Sequence, residues 1–136
     1  LKDYIIEHSD RIPFLHVQEY LRRAEGVVSI GSKEPHYSAS KTFQCLLSGN
    51  KVFSFCHKES EACKILQKCK ADAYHTDYVE TKRHSELVDE LATKSARFFA
   101  AEKKSWRPAL DALGPYSAAQ SARTLIKTME AIDSIE

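Results

Sequence analysis

The sequence of 136 residues lacks several features, and each absence restricts what the chain can be. Only four glycines and four prolines are present, which excludes a collagen-like or Pro- and Gly-rich low-complexity chain. No apolar run approaches the roughly 18 residues of a membrane-spanning helix, and no N-terminal stretch is typical of a secretion signal. The chain begins at Leu1 rather than at methionine, so we expect one domain taken from a longer protein.

An excess of charge of one sign is also absent. Lys and Arg total 20, whereas Asp and Glu total 19. Because nucleic-acid-binding domains normally carry a basic patch or stripe, we expect no nucleic acid as a partner. The basic clusters at 82–84 and 103–104 are interpreted as solvated helix ends. Peripheral association of the full protein with a membrane surface is the alternative.

The four cysteines contain no CxxC pair, which is the usual spacing of a metal clip. A zinc set made of Cys56, His57, Cys63 and Cys69 is one interpretation. The other is that they are small core hydrophobes, since Cys69 continues the apolar stripe of a predicted helix at 59–70. We expect the second, with no resident metal and no cofactor. Reduced thiols are typical of a cytoplasmic protein.

Short apolar runs alternate with amphipathic stretches along the chain. Apolar or β-branched runs predict strands at 12–15, 27–30, 51–55 and, more weakly, 71–75. Helical periodicity predicts helices at 17–24, 41–48, 59–70, 81–104 and 117–135. This alternation predicts an α/β fold with a Rossmann-like parallel sheet of about four strands flanked by helices. Two long C-terminal helices, with no strand between them, depart from the pattern.

Ligands of open parallel sheets bind outside the carboxyl ends of the strands. Gly31 and Ser32 leave one strand at a place where backbone can approach a ligand closely. The segment Tyr37-Ser38-Ala39-Ser40-Lys41 then leads into a helix, whose N-terminus offers unpaired N–H groups and a positive dipole end. We interpret this as a phosphate site, and the alternative is that Ser38 or Ser40 is only the helix cap. His57 and Lys58, which follow the next strand, are expected to be exposed loop residues.

The run GVVSIGSKEPHYSASKTFQCLLSGNKVFSF resembles the donor-binding C-terminal domain of GT-B glycosyltransferases. In that family a strand ends in small residues, a loop follows, and a buried helix ends in Ser-Gly or Ala-Gly before the next strand. By pattern the resemblance covers about residues 12–78. In many retaining members two glutamates frame the loop and helix, the first contacting the donor sugar and the second the ribose. His36 and Gln44 occupy those positions here.

The resemblance implies a domain that binds a nucleotide-diphosphate sugar as donor substrate for transfer to a glycan, lipid or small-molecule acceptor. Its donor-binding residues would be Gly31, Ser32, His36, Tyr37, Ser38, Ala39, Ser40, Lys41 and Gln44. Gln44 would hydrogen-bond the ribose, and His36 the sugar or phosphate. The alternatives are that Gln44 is a solvated helix residue and that His36 is an ordinary loop residue.

The family also implies an N-terminal acceptor-binding domain, which is absent from this chain, and no metal requirement. We therefore expect the isolated domain to be catalytically inactive. Loss of both glutamates favours a second hypothesis, a non-catalytic degenerate transferase-like module used for protein assembly. A receiver-like signalling domain is disfavoured because Gly31-Ser32 and Cys56-His57 stand where such a domain needs acidic residues.

Overall fold

Three short parallel strands form the centre of the molecule. The computed structural model describes residues 2–32 and 40–133, and its strands are β1 (Gly26–Ile30), β2 (Lys51–His57) and β3 (His75–Tyr78). They pair in the order β1-β2-β3, with Val27 opposite Val52 and Ser54 opposite His75. The α/β fold with a parallel sheet is therefore confirmed, with three strands in the described residues rather than about four.

Within residues 2–32 and 40–133, five α-helices surround or extend this sheet. They are α1 (Phe14–Arg23), α2 (Ser40–Leu47), α3 (Glu61–Lys68), α4 (His84–Ala100) and α5 (Ala118–Asp133). Short 3₁₀ turns cover Lys2–Tyr4, Lys103–Ser105 and Leu110–Tyr116. The two long C-terminal helices are present as α4 and α5, although α4 is shorter than the predicted 81–104, because Ala101 leaves the helix in an extended conformation. Within the described ranges, no helix has the length and apolarity that crossing a membrane requires.

Alternation along β2 assigns the helices to two faces of the sheet. Side chains of a strand point alternately to opposite faces, so Val52 and Ser54 share one face and Phe53 lies on the other. Val52 packs in the core with residues of α2 and α3. The ring of Phe53 lies 5.7 Å from that of Phe98 in α4. Helices therefore cover both faces of β2, whereas Val28 and Ile30 of β1 are exposed on the α4 side.

The core lies mainly between β1, β2 and the helices α2 and α3. Leu46, Val52 and Leu66 are at most 1% exposed, and each such side chain contributes about 1.5–3 kcal/mol of burial free energy. On the α4 face the Phe98 ring contacts the rings of Phe53 and Tyr74. Cys69 is fully buried in the same cluster as Leu66, so its interpretation as a core residue is confirmed.

The predicted strand at 12–15 is wrong. Helix α1 begins at Phe14, and Pro13 precedes it with a φ of −56° that suits a helix start. Phe14 and Leu15 are exposed, so they do not form a buried strand. A run of four apolar residues is too short for periodicity to distinguish strand from helix.

The predicted strand at 71–75 is displaced, because β3 begins only at His75. Residues after α3 form a Schellman-type cap, in which Ala71 N–H donates to Leu66 and Lys70 N–H to Gln67. Lys70 takes the left-handed conformation there, with a φ of +51°. This position usually holds glycine, so the sequence gives no signal of the turn that occupies the start of the predicted strand.

Candidate functional site

The carboxyl ends of the three strands meet at one edge of the sheet, which is the edge where ligands of such folds bind. Strand β1 ends at Ile30, opposite Phe55 of β2. Gly31 N–H donates to the Phe55 carbonyl at 2.8 Å, so the chain follows the sheet for one residue more. The tyrosine hydroxyl of Tyr78 donates to the Ser32 carbonyl at 2.6 Å. The segment that leaves β1 is therefore tied to the end of β3.

Gly31 is required by packing inside the protein. A Cβ atom at this position would lie 2.5 Å from the Cβ of Cys56 and 3.2 Å from its Cα. Both atoms belong to or adjoin the backbone of β2, so they cannot move aside easily. The glycine that we predicted to admit a ligand also allows two neighbouring strands to lie close together.

A cavity of about 620 Å³ opens at this edge, on the α4 side, and we call it the carboxyl-edge cavity. Its walls include Ile30, Gly31, Phe55 and Tyr78 from the strand ends. Lys82 also lines it, and its Nζ lies 2.5 Å from a Glu90 carboxylate oxygen and 3.9 Å from one of Asp77. The Lys82 ammonium is thus already paired with carboxylates, although we expected Lys82 to be a solvated residue at a helix end.

A second cavity, of about 570 Å³, lies between α1, β1 and α2, and we call it the helix cavity. Lys41 and Gln44 line it, together with Ser29 and Ile30 of β1. Gln44 is half-buried, whereas Lys41 is exposed. The structure therefore brings two of the predicted donor-binding residues to one cavity, beside the end of β1.

Of the remaining predicted site residues, three lie within the described ranges and four lie outside them. Ser40 is exposed and is the first described residue of α2. Gly31 and Ser32 are half-buried at the sheet edge. Four predicted residues lie outside the described ranges: His36, Tyr37, Ser38 and Ala39.

His57 is buried, so our expectation of an exposed loop residue is wrong. Strand β2 extends to His57 rather than ending at 55, and this leaves only Lys58 exposed as expected. The His57 Nδ1 accepts from the Glu59 N–H at 3.2 Å, and its Nε2 lies 3.5 Å from a Glu80 carboxylate oxygen. A hydrogen bond from its own backbone N–H lowers the pKa of Glu80, and the nearby His57 imidazole lowers it further. Only alternation continued past Phe55 would have indicated this buried histidine.

The described residues define an α/β domain with a parallel sheet, two cavities beside the carboxyl end of β1, and a helix that begins there. This class of fold binds ligands of many kinds, so the fold alone does not select one. No family model, no curated protein and no solved structure matches the chain.

Proposed function

We propose that this chain binds a nucleotide-diphosphate sugar and acts as the donor domain of a GT-B glycosyltransferase. One observation carries the proposal: β1 ends at the carboxyl edge of a parallel sheet, and α2 begins at Ser40 beside the same edge. Strand ends and helix N-termini meet in this way where α/β domains hold phosphate groups.

The first turn of α2 supplies the phosphate-binding groups in this proposal. Its unpaired N–H groups and its dipole favour an anion by about 0.3–1 kcal/mol, and Lys41 adds a positive charge in the same turn. No acidic residue lies in the first turn of α2, so nothing there opposes an anion. During transfer, these groups would stabilise the charge on the departing diphosphate.

The two cavities have the size that such a donor needs. Small-molecule sites usually measure about 300–1,000 Å³, and both cavities fall in that range. Ile30 lines both of them, so a ligand that occupies both passes over the end of β1. Gln44 lies in the helix cavity, where its amide can both donate to and accept from ribose hydroxyls.

Helix α5 provides a surface for the acceptor-binding domain that the proposal requires. Leu125, Ile126, Met129 and Ile132 are all more than half exposed along this 16-residue helix. Their spacing places them on one side of the helix, where a partner domain would remove them from water. Transfer then takes place between the two domains, and this chain alone is inactive.

The same stripe on α5 favours a second candidate, a non-catalytic module that holds a protein assembly together. In that case the stripe binds a partner protein, and His36 and Gln44 replace the glutamates because no sugar is bound. The two candidates differ in one measurable property, because only the donor domain binds nucleotide-diphosphate sugars.

Isothermal titration calorimetry with a panel of uridine, guanosine, adenosine and thymidine diphosphate sugars tests the proposal. The variant Lys41→Ala removes the proposed phosphate-binding cation. Its affinity for the preferred donor should be lower by about tenfold or more, because hydrogen bonds to charged groups are among the stronger ones. The control is Lys64→Ala, which removes an exposed lysine from α3 and should leave the affinity unchanged. Absence of binding for every donor, or equal losses in the two variants, contradicts the proposal.

A further inference from the structure

Three side chains with metal-binding atoms converge between α3 and β3, and none of the three lines either cavity. Cys63 lies in the first turn of α3, and His75 and Asp77 lie two residues apart on β3. Residues two apart on a strand share a face, so both point to the same side of the sheet. One ligand atom from each of the three lies within 4.8 Å of the other two.

His75 provides independent support for a ligand at this place. Its side chain is 6% exposed, and its Nδ1 lies 2.9 Å from the Ser54 hydroxyl oxygen. Its Nε2 is buried and has no hydrogen-bond partner among the described residues. Seven buried side-chain nitrogen and oxygen atoms lack a hydrogen-bond partner among the described residues, and His75 Nε2 is the one that belongs to this cluster. Buried polar atoms are usually paired, and core packing explains the burial of Cys63 but not this free nitrogen.

We propose that Cys63, His75 and Asp77 bind a zinc ion through Sγ, Nε2 and a carboxylate oxygen. Sulfur, imidazole nitrogen and carboxylate oxygen are the three ligand types that zinc takes in proteins. Tetrahedral bonds of about 2.0–2.3 Å place ligands about 3.5 Å apart. One sulfur, one imidazole nitrogen and one carboxylate oxygen of the three side chains already lie within 4.8 Å of one another, so only a small closure would bring them to that spacing. The side chain of Asp77 is 33% exposed, which gives the ion access and leaves water for a fourth position.

Neighbouring groups orient the three ligands. The Ser54 hydroxyl holds His75 by Nδ1 and so leaves Nε2 for the metal. Gln67 Nε2 donates to the Cys63 sulfur at 3.5 Å, which helps to orient this side chain. When zinc binds, the Cys63 thiol releases its proton to solvent. The Lys82 ammonium, 3.9 Å from Asp77, is the cation that competes for this carboxylate.

The site differs from the zinc set considered in the sequence. Cys63 is shared, but Cys69 packs in the main core and His57 lies beside Glu80. Its two other ligands come from β3 and lie 12 residues or more beyond Cys63 in the sequence. That separation matches no usual spacing of metal ligands, so the sequence does not indicate this site. The bound ion would join α3 to β3, and this role does not depend on the proposed donor site.

Titration of the metal-free chain with cobalt and then zinc tests the proposal. Cobalt bound by a cysteine thiolate gives a charge-transfer band in the near ultraviolet, and one equivalent of zinc should abolish it. Zinc affinity is measured by competition with a chromophoric chelator. Mutating the residues that hydrogen-bond to metal ligands usually lowers metal affinity 10–100-fold. Loss of a direct ligand in Cys63→Ser or Asp77→Asn should therefore lower the zinc affinity by at least about tenfold. Zinc should also raise the melting temperature.

Controls separate this site from other thiols and carboxylates. Cys69→Ser changes an equally buried cysteine outside the cluster and should keep both the band and the affinity. Asp89→Asn changes an acidic residue of α4 and should also bind zinc normally. If Cys63→Ser does not fold, Asp77→Asn still tests the proposal, because Asp77 is partly exposed. Absence of the band, or zinc affinity unchanged in Asp77→Asn, overturns the proposal.

Discussion

The loss of stability expected from substituting Gly31 can be worked out from two contacts. The substitution Gly31→Ala places a methyl carbon 2.5 Å from the Cβ of Cys56, whereas non-bonded carbons prefer about 3.5–4.0 Å. A deficit of about 1 Å against a neighbouring strand must be relieved by movement of the backbone. Overpacking of this kind costs about 1–3 kcal/mol, and we expect the upper half of that range.

Urea denaturation, followed by circular dichroism, measures this cost. Gly114→Ala is the control, because no atom lies within 4 Å of a Cβ there, and its free energy of unfolding should change by less than about 0.5 kcal/mol. Cys56→Gly removes the obstructing Cβ. In the double variant Gly31→Ala/Cys56→Gly, the cost of the alanine should therefore fall by at least about 1 kcal/mol relative to the single variant.

Two results would refute this explanation of Gly31. The first is a Gly31→Ala protein as stable as Gly114→Ala. The second is strict additivity in the double variant, which would show that the new methyl group does not meet Cys56. In either case β1 and β2 do not lie as close as the structure describes, and Gly31 is free to serve a ligand instead.

Three further predictions concern the core, the thiols and one surface carboxylate. Phe98→Ala should lower the free energy of unfolding by about 3–5 kcal/mol in a denaturant titration, because the ring is 5% exposed and contacts three other aromatic rings. Burial raises the pKa of all four cysteine thiols, that of Cys63 to about 11, so a thiol-specific reagent should react fully only in denaturant. Hydrogen bonds from Arg22 and Arg23 lower the pKa of Glu19 to about 2, so its carboxyl carbon should titrate by NMR well below 4.5.

Each of these has an outcome that would count against it. A loss of under about 1 kcal/mol in Phe98→Ala would show that the aromatic cluster is not packed as described. Rapid reaction of two or more thiols in the native protein would place those cysteines at the surface. Arg22→Ala should raise the pKa of Glu19, since Arg22 is its main partner. A Glu19 pKa near 4.5 in the unaltered protein would show that the arginines do not hold it.

The central unit of the fold was predictable from sequence because each of its signals is local. Val27, Val28 and Ile30 are β-branched and apolar. Gly49 ends a helix with a φ of +74°, and the next strand follows within two residues. Parallel pairing then follows from the alternation of strands and helices. Strand β1 begins one residue earlier than predicted, and helix α2 both begins and ends one residue earlier than predicted.

The parts that were missed depend on contacts between residues distant in sequence. The cap after α3 places a lysine where glycine is usual, so nothing local indicates where β3 begins. His57 is buried beside Tyr78 and Glu80, which lie more than 20 residues further along the chain. The proximity of Cys63 to His75 arises only when α3 packs beside β3. Spacing along the chain cannot show such proximity.

The proposed donor site is tested most directly by mapping amide chemical shifts of the ¹⁵N-labelled chain during titration with nucleotide-diphosphate sugars. We predict saturable shifts at Gly31, Ser32 and residues 40–44, which adjoin the carboxyl end of β1. Residues of α5, which would face a partner domain, should not shift. No shift in those segments with any donor, or shifts confined to α5, would contradict the assignment of this edge as a donor site.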